Sequence, residues 1–295
     1  MIKSFEDLFS VKKNTEKKTV VVACANDDHT LKAISAVTKT ENIHTILVGD
    51  AAVLKESLAD YGLEEAEVVD AADQQAAVET AVSLCKAGRG DVLVKGLVET
   101  AVILRRVVNK ENGLCAQGVL SHLTVTQLPN YHKLLGVTDC ALLMYPTLDQ
   151  KKEEIRNSVR FLTALGIAPV KTAVLAAIEK VNPKMPETVD ANALKEWYQS
   201  GAITDCIVEG PISYDLAMRP GAAKVKGFDS QVAGDPDLLV VPNITVGNVL
   251  IKALTCSAGG ISAALILGAT VPIVVTSRSS SVQTKVTSIR MALSI

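Results

Sequence analysis

The sequence has no apolar run long enough to cross a bilayer. Its most apolar stretch, Ile261 to Val275, is broken by Ser262, Gly268, Thr270 and Pro272 and falls short of the ~20 residues a spanning helix needs. Positive charge is not in excess: 30 Lys and Arg against 32 Asp and Glu leave a formal net charge of −2. That excludes the basic surplus on which nucleic-acid and membrane-surface binding depends. The six cysteines form no CxxC pair, and His29, His44, His122 and His132 never fall at HExxH spacing, so no metal site is expected. Most of the cysteines lie in apolar runs and read as reduced, buried side chains of a cytoplasmic protein. The opening MIKSFEDLFSVKKN has Glu6 and Asp7 where a secretory signal needs an apolar core. Ile2, Phe5, Leu8 and Phe9 there mark a short helix that docks on the body.

What the chain does have is apolar substance, 48% of 295 residues, enough for two domains at roughly 100–200 residues each. Short β-branched runs read as buried strands: TVVVACA (19–25), HTILVGD (44–50), GDVLVKG (90–96) and DCALLMYP (139–146) in the first half. KTAVLAAIE (171–179), DCIVEGP (205–211), DLLVVPN (237–243) and VPIVVTS (271–277) continue the series. Each ends in a polar or glycine-containing turn and leads into a helical pattern. The rhythm predicts an α/β fold of mostly parallel sheets with helices on both faces. Thr147 and Gln150 form a capping box, and Ile155, Val159, Leu162 and Leu165 mark the apolar face of the helix that follows. Lys151, Lys152, Glu153, Glu154 and Arg156 are expected on its solvated face. The stretch from Lys180 to Ala191 reads as a loop before a helix capped by Asp190, and Lys224 to Pro236 as a second long loop.

In such folds ligands bind beyond the carboxyl ends of the strands. Lys95 and Gly96, then Arg105, follow the third run; Asn243, Thr245 and Gly247 follow the seventh; Ser277, Arg278 and a further serine cluster, then Lys285, follow the eighth. Glycines, hydroxyls and cations at helix N-termini suit oxyanions. Each group also has a plainer reading: Lys95 as a surface lysine, the Asn243 and Ser277 groups as caps or turns, and Ser121–His122 as a cap beside a satisfied histidine.

Five segments together resemble the phosphate acetyl/butyryltransferase family: VKGLVETAVILRRVVNKENGL (94–114), GVLSHLTVTQLPNYHKLLGVTDCALLMYPTLDQK (118–151), VEGPISYDLAM (208–218), AGDPDLLVVPNITVGNVLIKAL (233–254) and VPIVVTSRSSSVQTK (271–285). The Ser-His of the second segment, with L-P-N-Y after it, is nearer the butyryltransferase branch. The resemblance implies a fold similar to isocitrate and isopropylmalate dehydrogenases. Its first domain would comprise residues 1–127 plus 266–295 and its second 128–265, with the active-site cleft between. It implies reversible acyl transfer from a short-chain acyl-CoA, such as butyryl-CoA, to phosphate in short-chain fatty acid metabolism. CoA and phosphate would be substrates, no cofactor would be needed, and the chain would form a homodimer or higher homo-oligomer. Ser277 and Arg278 match the family's cleft-lining pair and are the catalytic candidates. Arg105 matches an arginine that meets CoA or phosphate. Lys95, Asn243 and Lys285 are expected to hold anionic groups, and Ser121 and His122 to shape the acyl end.

Two positions depart from the family pattern. Thr284 stands where acetyltransferases have an aspartate proposed as a base, and Cys115 where butyryl-type relatives have an arginine. The alternatives are a phosphate acetyltransferase, a non-catalytic CoA-binding paralogue, and a metal- and NAD-dependent decarboxylating dehydrogenase using Asp215, Asp235 and Asp237.

Overall fold

The computed structural model describes residues 2–11, 16–115, 118–277 and 280–295. Among these, the strands in chain order are β1 (Lys18–Ala23), β2 (Ile43–Gly49), β3 (Glu67–Asp70), β4 (Val92–Lys95), β5 (Ser121–Gln127) and β6 (Leu135–Thr138). Then come β7 (Val170–Leu175), β8 (Cys206–Ile212), β9 (Leu238–Val240), β10 (Ile261–Leu267) and β11 (Ile273–Val274). The chain divides into two compact units, one of residues 9–120 with 263–295 and one of residues 1–8 with 121–262. The boundaries expected from sequence lay after residues 127 and 265.

In the unit of 9–120 and 263–295 the strand order is β3-β2-β1-β4-β11-β10. β1 pairs in parallel with β2 and β4, and β4 with β11, so Ala23 lies opposite Lys95 and Leu93 opposite Ile273. Val20, Val21, Val22 and Ala23 are all fully buried, as a central parallel strand requires. Because β1, β4 and β11 run the same way, their carboxyl ends share one edge. The helices Asp28–Thr38, Ala51–Tyr61, Gln74–Lys86 and Val282–Leu293 are capped by Asp27, Asp50, Asp73 and Ser281, each accepting a backbone N–H of the first turn.

In the unit of 1–8 and 121–262 the order is β5-β6-β9-β7-β8, with β5 and β6 antiparallel and the β6-β9, β9-β7 and β7-β8 pairings parallel. Leu135, Val137, Ala173 and Leu239 make its core with Ile212 and Val241. The N-terminal residues join this unit because the Phe5 N–H donates to Gln127 Oε1 at 3.0 Å and the Leu134 N–H to the Ile2 carbonyl at 3.5 Å.

The parallel α/β class is as expected, and the capping box at Thr147 and Gln150 is present with both of its hydrogen bonds. Several local expectations need correction. Residues 139–146 are not a strand; the strand lies just before them, as β6. The Asp139 carboxylate accepts the backbone N–H groups of His122, Ala141 and Leu142 at 2.7–2.8 Å, which turns the chain out of the extended conformation. Asp190 does not cap a helix. The helix begins at Pro186, a residue suited to the first turn, and Asp190 sits within it, paired to Lys151 at 2.7 Å. Lys151 and Glu154, expected in solvent, are buried. Of the cysteines, Cys24, Cys85, Cys140 and Cys206 are buried, but Cys256 is exposed. Strands β3, β5, β6 and β10 were not anticipated.

Candidate active site

The shared carboxyl edge of β1, β4 and β11 opens onto a cavity of about 200 Å³ bordered by Asp27, Lys95, Ser277, Ser281 and Lys285, among others. Three residues singled out in the sequence therefore meet at one place: Lys95 closes β4, Ser277 follows β11, and Lys285 lies in the first turn of the last helix. Gly96 sits in the same wall, where an added Cβ would run into the carbonyl oxygen of Cys24, so only glycine lets the backbone after Lys95 pass this close. The helices that begin at Asp28 and Val282 both start at this cavity and turn their positive ends towards it.

Both lysines are buried. The Lys95 ammonium donates to the carbonyls of Val98 at 2.8 Å and Gly96 at 3.3 Å. The Lys285 ammonium donates to Thr30 Oγ1 at 2.6 Å. Burial pulls the pKa of Lys285 below the usual lysine value, and the nearby charge of Asp27 offsets part of that fall. A cation short of compensating charge at a cavity wall is disposed to accept an anion. Cys24 lies behind Lys95, but burial raises its thiol to about 11, so it stays protonated at neutral pH.

The remaining candidates lie elsewhere. Arg105 borders a separate hollow of about 400 Å³ with Gln74, Glu79, Arg106 and Asn109. Asn243 caps the helix Ile244–Lys252, its Oδ1 accepting the Val246 N–H at 3.2 Å. Ser121 and His122 begin β5 in the other unit, both buried. Ser121 Oγ accepts from Asn157 Nδ2 at 3.1 Å, and burial lowers the pKa of His122 although Asp139 pulls it the other way. Arg278 lies outside the described residues. Thr284, half-buried, donates its N–H to Ser281 Oγ at 3.1 Å as part of the helix cap. Cys115 is half-buried, with its thiol raised by burial.

Two groups escaped the sequence reading. Asp27 and His29 border the cavity, and the signal was available: N-D-D follows the first strand run at the same edge as Lys95. The second group is the buried polar set around Asp139. Glu154 has both carboxyl oxygens buried without a hydrogen-bond partner among the described residues. Burial and the adjacent Asp139 charge raise its pKa to about 8, with Lys151 opposing. Helical periodicity gave no sign of this.

The three aspartates considered for a metal are engaged in ion pairs. Asp235 meets Lys133 at 2.8 Å, Lys171 at 2.6 Å and His132 at 2.7 Å; Asp237 meets Lys133 at 2.7 Å; Asp215 meets Lys226 at 3.5 Å. Tyr131 donates to the carbonyl of Pro236 at 2.6 Å, so this network ties down the end of the 227–237 loop.

Comparison with known proteins adds the following. The family described as phosphate acetyl/butaryl transferase matches residues 71–293. Phosphate butyryltransferase of Clostridium acetobutylicum is 38% identical over 294 residues, covering 99% of this chain and 98% of that protein. Phosphate butyryltransferase of Clostridium beijerinckii is 38% identical over 294 residues, with 99% and 97% covered. Among solved structures, a branched-chain phosphotransacylase from Enterococcus faecalis superimposes with a TM-score of 0.84 at 31% identity, covering 94% of this chain and 98% of that one.

Proposed function

This chain belongs to the phosphate acetyl/butaryl transferase family and is an enzyme of acyl transfer between acyl-CoA and phosphate; we propose that phosphate is held in the cavity of Lys95, Ser277 and Lys285. The observation that carries this reading is the pair of buried lysines at one strand edge, facing two helix N-termini.

In the reaction a phosphate oxygen attacks the thioester carbonyl carbon, the C–S bond breaks, and the proton of hydrogen phosphate ends on the CoA sulfur. A thioester is reactive towards an oxyanion and a thiolate leaves readily, so positioning and charge stabilisation can supply most of the rate. Lys95 and Lys285 neutralise the phosphate and fix which oxygen is presented. The Ser277 hydroxyl is suited to hydrogen-bond the tetrahedral oxyanion or the departing sulfur. Arg278, next in sequence to Ser277, can add a bidentate phosphate contact that a lysine cannot reproduce. None of these steps calls for a metal or a prosthetic group. Arg105 and Arg106, in their own hollow, suit the phosphates of CoA.

The donor we assign is butyryl-CoA or a branched acyl-CoA of similar length, in keeping with the named substrates of the relatives above. CoA release measured over a panel of acyl-CoAs should require phosphate, survive EDTA and ignore NAD. Each buried methylene is worth about 0.8 kcal/mol, so butyryl-CoA should exceed acetyl-CoA by about ten-fold in kcat/KM. A preference for acetyl-CoA would make the chain an acetyltransferase, and binding of CoA without turnover would make it a paralogue that has lost activity. Six free cysteines favour a reducing, cytoplasmic setting, and among the described residues no helix is long and apolar enough to cross a membrane.

We also assign a homodimer, through the helix Ile244–Lys252. Only Gly247 of this helix is buried, against the backbone of Asp139 and Cys140, while Val249 is 62% exposed. The neighbouring loop presents Met144 at 68% and Tyr145 at 78% exposure, and the Met144 carbonyl accepts the Ile244 N–H. Exposed apolar side chains on a helix and the loop bonded to its first residue suit an interface. Val249→Asp should convert the dimer to monomer in light scattering without lowering the melting temperature of the monomeric fold; an unchanged mass would remove the assignment.

A further inference from the structure

An anion cavity with a carboxylate in its wall calls for explanation, because an aspartate repels the ligand that the lysines attract. Asp27 is that carboxylate. Its Oδ1 accepts the Thr30 N–H at 2.9 Å and so caps the helix Asp28–Thr38. Its Oδ2 is shielded from water and accepts no hydrogen bond among the described residues. The neighbouring Asp28 is committed elsewhere, to Lys32 at 2.8 Å and the Tyr61 hydroxyl at 2.9 Å. Capping therefore uses one oxygen of Asp27 and leaves the other with unused acceptor capacity in the cavity wall near Lys285, reached by a donor once the carboxylate turns that oxygen into the cavity, a motion that also relieves its desolvation.

Resting on the reading of this cavity as the phosphate site, we propose that Asp27 is the specificity-determining residue that admits an anion carrying a proton and rejects one without. Hydrogen phosphate at neutral pH is a dianion with one O–H. It can place its charged oxygens on Lys95 and Lys285 while donating the O–H to Asp27 Oδ2. Sulfate has the same tetrahedral shape and the same charge but no proton. Against sulfate the Asp27 carboxylate finds no hydrogen bond and only like charge. Discrimination built on a repulsive element of this kind exceeds what shape alone provides. The hydrogen bond requires no proton transfer to Asp27: the phosphate attacks through a different, unprotonated oxygen. The residue thereby differs in task from a catalytic base, and its presence does not depend on what stands at Thr284.

The test uses calorimetric binding of phosphate and of sulfate to the full chain, with sulfate inhibition of phosphate-dependent CoA release as a parallel readout. Wild type should favour phosphate clearly over sulfate. Asp27→Asn keeps the cap, since asparagine serves that position as well as aspartate. It removes the negative charge and puts an amide donor within reach. Phosphate affinity should fall by about ten- to a hundred-fold, the range of one charge-assisted hydrogen bond, while sulfate binding holds or strengthens. Asp27→Ser, which also caps, should show the same loss of selectivity and stands in if the asparagine variant fails to fold. Equal weakening of both anions, or a ratio unchanged within three-fold, would reduce Asp27 to a helix cap and overturn the proposal. So would a wild type that binds sulfate as tightly as phosphate, or binds neither. Selective phosphate binding without any CoA release would instead uphold Asp27 and refute the acyltransferase reading.

Discussion

Lys285→Met should lower kcat/KM for phosphate by about 10²–10³-fold and leave the protein at least as resistant to unfolding. The loss follows from the position of Lys285, a buried ammonium at the cavity wall whose hydrogen bond among the described residues is to Thr30 Oγ1. Removing one desolvated charge that meets the transferring anion costs about 2–4 kcal/mol in the transition state. Stability moves the other way for the same physical reason. Burial lowers the pKa of this lysine below its value in the unfolded chain, so over the interval between the two values the unfolded state binds more protons. Wild-type stability should then rise with pH across that interval. Methionine fills a similar volume without carrying a charge, so the variant should show no such rise. Steady-state kinetics in phosphate together with denaturant unfolding across alkaline pH would check both parts. A variant with near-normal kcat/KM would mean that Lys285 is only a structural residue of the helix Val282–Leu293.

Glu154→Gln is expected to flatten the pH dependence of stability between pH 5 and pH 8. Glu154 is fully buried and its carboxyl is raised from 4.5 to about 8 by burial first and the Asp139 charge second, with Lys151 opposing. The sign is opposite to that at Lys285. Between pH 4.5 and pH 8 the folded protein keeps the proton and the unfolded chain has lost it, so stability is greatest at the acid end and declines as pH rises. Over the whole window the decline attributable to this one group is about 5 kcal/mol. The amide cannot ionise, so Glu154→Gln should be markedly flatter over the same range, and should be the more stable form at pH 8. Parallel profiles for the two proteins between pH 5 and pH 8 would show that Glu154 is ionised in the fold.

How much of this was legible beforehand depended on how local each determinant is. The capping box at Thr147 and Gln150 involves atoms three residues apart, and the sequence pattern names it directly. The runs around Val21, Leu93 and Val174 announce strands because β-branched residues buried on both faces suit little else. The convergence of Lys95, Ser277 and Lys285 followed from one topological rule, that parallel strands place their carboxyl ends together. The same rule, applied to the first strand, would have reached Asp27. The failures have long-range causes. DCALLMYP has the composition of a strand, but Asp139 spends its carboxylate on backbone groups on both sides, including His122, 17 residues away. Glu154 sits among charged neighbours on its own helix, and only the packing of that helix against the rest of its unit puts it inside. Nothing within a window of one helical turn distinguishes it from Glu153.

The order in which the strands of the unit of 9–120 and 263–295 are laid down has a consequence for synthesis. β1 and β4 come early in the chain, but β11 and the helix bearing Lys285 come from residues 263–295, and Leu93 meets Ile273 across the whole intervening unit. During translation, residues 121–262 emerge while the first half-sheet still has an unpaired edge at β4. The second unit can therefore complete its own sheet before the first can close. The proposed phosphate cavity cannot form until the segment carrying Ser277 and Lys285 leaves the ribosome. Until then the open edge of β4 is the part of the molecule most exposed to wrong partners, and prompt arrival of β11 is what protects it.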